Sequence, residues 1–157
     1  MASDLTNIYD LLAAVNMSFT DAAEVAQTVG VLKYDTMKQS LTGVTLPVRV
    51  LWLIRPGVDD AGVSPVVLKG TTSTDIAWVI HDTMYLKRSG QAFTLADATH
   101  DLLLYLNRYT AQMAAARFLS KAPSVVVSGW SYHPGIYVWG DVPYVGVDVE
   151  LTVRELT

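Results

Sequence analysis

The chain contains no cysteine. Disulfides, thiolate metal sites and thiol nucleophiles are therefore excluded. It has only three histidines, His81, His100 and His133. No two of them stand at a spacing that suits a ligand set, so no metal is expected. Asp59-Asp60 lies in a Gly-containing stretch, but the Asp-x-Asp-x-Asp-Gly spacing of a calcium loop is missing. Phosphate-binding glycine patterns are missing too, and so is a Gly-x-Ser-x-Gly elbow. Lys69-Gly70-Thr71-Thr72 comes nearest, with one glycine and no helix after it to offer its N-terminus to phosphate. No cofactor and no catalytic residue are expected.

Charge is also scarce. Asp, Glu, Lys and Arg make up 17% of the chain, against about 25% in an average soluble domain. The net charge is −4 and no basic patch stands out, which argues against sequence-specific nucleic-acid binding. No apolar run reaches the about 18 residues of a membrane span. The most apolar stretch, Val44 to Ile54, is interrupted by Pro47 and Arg49. Met1 to Asp10 lacks the basic start and apolar core of a secretory signal. What is abundant is apolar surface, at 51% of the 157 residues. One core of this size cannot hide all of it, and exposed apolar patches on soluble proteins mark contacts with other proteins. An oligomer is expected.

Periodicity gives the elements. Ile8, Leu11, Leu12 and Val15 recur at helical spacing, predicting a helix from Asp4 or Thr6 to near Met17. Ser18 to Gly43 reads as irregular. Leu46 to Ile54 is nearly all apolar and predicts a strand covered on both faces. Asp75 to Arg88 alternates as a second strand. Thr94 or Asp97 caps a helix running to about Phe118, with Pro123 beyond its end. Asp97 and His100 share a helical face, but capping explains Asp97 better than a pair would. His81 and Asp82 are neighbours on a strand and point to opposite faces, so they form no relay. Ser124 to Tyr132 predicts a third strand, with turns at His133-Pro134-Gly135 and Gly140-Asp141 around a short extended piece, Ile136 to Trp139. In the last strand, Tyr144 to Glu155, Val145, Val147, Val149, Leu151 and Val153 form a dry face and the alternate residues a wet one. The expected fold is one α/β (α+β) domain over 1–157. Its sheet is mostly antiparallel, of about four to five strands, with the helices on the apolar face.

Two regions are candidate interfaces. The first is the long loop 55–72, for which a short strand at Val66 to Leu68 and a hairpin of Pro65 to Lys69 against the loop's other half are the two expected local structures. Its Val58, Val63, Val66, Val67 and Leu68 are too apolar for a solvated linker. It is expected to be an arm that reaches a neighbouring subunit. The second is the aromatic cluster of Trp130, Tyr132, Tyr137, Trp139 and Tyr144. Ser128 to Asp148 contains no Lys or Arg, which disfavours base stacking on nucleic acid. Cross-strand core packing, a protein interface and a carbohydrate-stacking surface all remain open for this cluster.

From Thr42 to Thr157 the pattern resembles the small neck proteins of tailed bacteriophages, in particular the tail terminator family. The pattern is a strand LPVRVLWLI, a long loop, a long strand DIAWVIHDTMYLKR, a helix, and an aromatic meander ending GVDVELTVREL. A related head–tail connector protein would share this outline. The resemblance implies a sheet with helices on one side and a homo-oligomeric, hexameric ring. It also implies, as partners, the tail tube protein and a head-completion or connector protein. The place implied is the neck of a virion assembled in the host cytoplasm. The family carries no catalytic residues to transfer. The alternative, from the residues alone, is a small carbohydrate- or ligand-binding domain using 130–144.

Overall fold

A computed structural model describes residues 5–52, 66–69, 74–121 and 124–156. The first element is helix α1, Leu5–Ala13. It buries Ile8, Tyr9 and Leu12 and stops about one turn earlier than its apolar spacing predicts. Two short strands, β1 (Phe19–Thr20) and β2 (Ala26–Gln27), then pair with each other. β3 (Gly30–Leu32) runs parallel to β4 (Val48–Trp52). The segment 18–43 is thus not wholly irregular. Its strands have two or three residues, too few to show a period.

The main sheet has seven strands, more than the four to five expected. β5 (Val66–Lys69) and β6 (Thr74–Arg88) pair antiparallel, Val66 opposite Ala77. After helix α2 (Leu95–Ala116) come β7 (Phe118–Lys121), β8 (Ser124–Trp139) and β9 (Val142–Leu156). Across the sheet the order is β3-β4-β6-β9-β8-β7, with β5 beside the other end of β6. Except for β3 with β4, every pairing in this sheet is antiparallel. The unexpected strands are the short edge ones, and β7 takes residues assigned to the end of the long helix.

The turn expected at His133 to Gly135 is not formed. Those residues continue β8, opposite Asp148, Val147 and Gly146. Pro134 punctuates the sequence, but an edge strand tolerates a missing N–H. The turn at Gly140-Asp141 is present, and both residues have positive φ, 59° and 61°. This left-handed pair suits the tight link of a twisted hairpin.

α2 begins with a capping box. Thr94 accepts from the Asp97 amide, and the Asp97 carboxylate accepts from the Thr94 amide at 2.9 Å. The helix then buries Ala98, Leu102, Tyr105, Tyr109 and Met113 against the sheet. Both helices lie on the face expected to be dry. Val145, Val147, Val149, Leu151 and Val153 are wholly buried there with Ile8, Leu12 and Ile80. β4 is buried at every position, as an all-apolar strand should be. The opposite face is not simply wet. Tyr144 and Asp148 on it are buried. A second, smaller core joins Leu32, Leu41, Val48, Val50, Trp52, Tyr85, Trp139 and Tyr144, with Met37, Val44 and Leu46 packed on it. The chain between β3 and β4 therefore covers one end of that face.

Candidate functional site

The aromatic cluster is divided by the sheet. Trp130 and Tyr132 stand opposite Leu151 and Val149, on the helix side. Both are half-buried against the main core. The Trp130 indole donates to the Tyr132 hydroxyl at 2.7 Å, and that hydroxyl also meets Thr110 of α2. Tyr137 and Trp139 stand opposite Tyr144 and Val142, on the other face. Trp139 is 3% exposed and packs edge-on against Trp52 at 4.7 Å. Placing Trp139 at an interface is thus corrected: it is a core residue of the single chain. Tyr137 is half-buried beside it and its hydroxyl donates to the His133 carbonyl. The period of two along β8 separates these residues. Only an intact strand through Pro134 reveals that, whereas His133-Pro134-Gly135 in the sequence predicts a turn.

The short strand expected at Val66 to Leu68 is present as β5, with Val66, Val67 and Leu68 opposite Ala77, Ile76 and Asp75. Val58, Val63 and the other half of the loop lie outside the described residues.

The buried polar groups were not singled out by sequence, because each lies in an apolar strand. Arg49 is wholly buried on β4. Its guanidinium donates to the carbonyls of Leu12 and Val15, at the C-terminal end of α1. Leu12 lies in the last turn of α1, where its carbonyl also accepts from the Val15 amide, and Val15 lies just beyond the helix. Arg49 Nε lies 3.5 Å from a carboxylate oxygen of Asp82, which also accepts from the Tyr109 hydroxyl at 2.9 Å. Burial pushes the Asp82 carboxyl above its ordinary value, while Arg49 and Tyr109 oppose that. The group ties α1, β4, β6 and α2 together. It is sealed from solvent, which suits a clamp and leaves no route for a substrate.

On the opposite face His81 meets Asp148 at 2.8 Å, and Asp148 also accepts from Thr83 at 2.8 Å. His81 and Asp82 do point to opposite sides, as alternation requires. His81 pairs across strands instead. No group of three or more His, Asp or Glu fit to hold a metal occurs among the described residues. No helix among them is long and apolar enough to cross a membrane. An open apolar cavity of about 340 Å3 lies beside α1, lined by residues that include Tyr9, Tyr34, Met37, Leu51 and Trp52. Among the described residues that line it there is no carboxylate, imidazole or amine.

No family model and no curated protein matches the chain.

What the described surface does show is apolar exposure. Val25, Leu103, Phe118 and Val138 are each more than half exposed, and Tyr34, Ile136 and Leu156 nearly so. Ile136 and Val138 lie on the helix side of β8, whereas Phe118 and Leu156 lie on the other face, level with Val126 and Ser124 at the opposite end of that strand.

Proposed function

We propose that the protein is a structural neck protein of a tailed bacteriophage. In this reading it is a non-enzymatic subunit of a homo-oligomeric ring that caps the tail tube and joins it to the head connector. The single observation that carries the reading is the number of large apolar side chains left exposed on β7, β8 and β9 in a chain with few charges. Exposed apolar patches on soluble proteins mark contacts with other proteins. The α+β outline with both helices on one face agrees with the resemblance noted in the sequence.

A carbohydrate-binding reading draws no support from the geometry, since the aromatic side chains proposed for stacking are split between two faces and two of them, Trp139 and Tyr144, are buried.

The test is mass in solution, alone and with tail tube protein. A ring several times 17.1 kDa, which blocks further lengthening of tail tubes, is the expected result. A chain that stays at 17.1 kDa in both settings, or that leaves tube growth unaffected, overturns the reading.

A further inference from the structure

The clamp beneath α1 contains three polar atoms with no hydrogen-bond partner among the described residues. They are Arg49 Nε, Asp82 Oδ1 and the Tyr105 hydroxyl oxygen. Arg49, Asp82 and Tyr105 are each 0% exposed, so bulk solvent does not reach them. They come from three elements, β4, β6 and α2, and belong to one group. Arg49 and Asp82 are an ion pair. Burial raises the Tyr105 phenol well above its ordinary value, the Asp82 charge adds to the rise and the Arg49 charge opposes it. The Tyr105 ring also packs on Tyr109, whose hydroxyl reaches Asp82. Buried polar groups in folded proteins are paired, with protein or with ordered water, in the large majority of cases. Three orphans in one group call for a common partner.

The three atoms do not satisfy one another. The two Nη groups of Arg49 are held by the carbonyls of Val15 and Leu12. That fixes the guanidinium fork and leaves Nε 3.5 Å from Asp82 Oδ2, too far for a hydrogen bond. Asp82 Oδ2 is taken by Tyr109. The Tyr105 ring is flanked edge-on by Phe19 and Tyr109, with centroids 5.5 and 5.9 Å away. Its hydroxyl cannot swing to the carboxylate without displacing one of them.

The chemistry of the three atoms selects the partner. Arg49 Nε only donates, a carboxylate oxygen only accepts, and a phenol does either. The partner must therefore both accept and donate. The pair of Arg49 and Asp82 is already neutral as a whole, so an added cation would face the guanidinium and an added anion the carboxylate. The partner is uncharged. It is also small, since the group is closed on every side.

We infer that the core binds one water molecule, which accepts from Arg49 Nε, donates to Asp82 Oδ1 and bonds the Tyr105 hydroxyl. Three hydrogen bonds are the usual number for a buried water. Such a water is enclosed as the chain folds and leaves only when the core opens. It links α2 to the pair that fastens α1, and it does so whether or not the chain forms a ring.

The test is a crystal structure of the full chain that resolves ordered water, together with the Tyr105→Phe variant. The expected density is a single peak roughly 3 Å from each of the three atoms, absent or displaced in Tyr105→Phe. The variant keeps the ring, so packing is unchanged. If the water is there, losing the hydroxyl leaves it short of a partner, and the urea midpoint should fall by about 0.5 M. If the hydroxyl is a true orphan, its removal leaves the midpoint equal or higher, and the inference is wrong. A peak that reaches only two of the three atoms, an anomalous signal of an ion, or a direct bond between Tyr105 and Asp82 also overturns it. The crystal of the unaltered chain decides the matter even if Tyr105→Phe does not fold.

Discussion

The two faces of the sheet are covered by different means. On one face two helices lie over five alternating apolar residues of β9. On the other, chain without helix or strand, between β3 and β4, covers a shorter patch centred on Trp52, Tyr85, Trp139 and Tyr144. A helix satisfies its own backbone and brings a continuous stripe. A connecting segment brings scattered contacts and opens at lower free energy. The first face therefore holds the fold together, and the second trims one end of it.

The largest effect is expected at Val149. Val149→Asp puts an unpaired charge in the main core, and the variant should show no cooperative unfolding transition. A folded, soluble protein would mean that the roles of the faces are reversed. Next comes the clamp beneath α1. Asp82→Asn leaves the Arg49 guanidinium buried without its counter-ion, at a cost of about 3–5 kcal/mol, readable as a lower denaturant midpoint. A loss under about 1 kcal/mol would mean that the pair is not sealed from water. Trp139→Ala removes the centre of the second patch, at about 3 kcal/mol. Its distinguishing sign is local: amide exchange and proteolysis should rise first between residues 33 and 47, ahead of α2. Uniform acceleration would mean that both faces unfold as one unit.

The smallest effect is at the start of α2. Thr94→Ala removes the cap at about 1 kcal/mol. The Thr94 amide and hydroxyl hold the Asp97 carboxyl below its ordinary value of 3.8. A lowered carboxylate contributes stability above its unfolded value and loses it as pH falls through the folded one. The deficit of Thr94→Ala should therefore be full at neutral pH and shrink below about pH 4. A deficit that is constant with pH would assign the effect to the hydroxyl alone.

The sequence made long, regular elements legible and short ones not. The alternation of Val145 to Val153 named the core face, because every second residue must share a side. The capping box at Thr94 was readable because its chemistry is local. β1, β2, β3 and β7 have four residues or fewer and exist because a neighbouring strand offers hydrogen bonds, which no local pattern announces. The kind of residue also misled. Pro134 and Gly135 read as a turn, whereas they continue β8, opposite Val147 and Gly146 of β9. Arg49 read as an interruption of an apolar run, whereas it is the residue that fastens α1. Of the candidate interface, Tyr132 and Trp130 sit beside the exposed flank of β8, and Trp139 does not, because cross-strand burial depends on register.

Chain order has a consequence for synthesis. β9 is the last strand in sequence and the one between β6 and β8 in space. While a ribosome is still making residues before Val142, β6 and β8 have no strand to join them, and the apolar stripe of α2 has no valine row to meet. Domains that build from the N-terminus can bury surface as they emerge. This one holds its apolar faces open until β9 is made, and then closes both sides of β9 in one step. Nascent chains arrested before Val142 should bind chaperones and be cut readily by protease, and release of the last strand should abolish both.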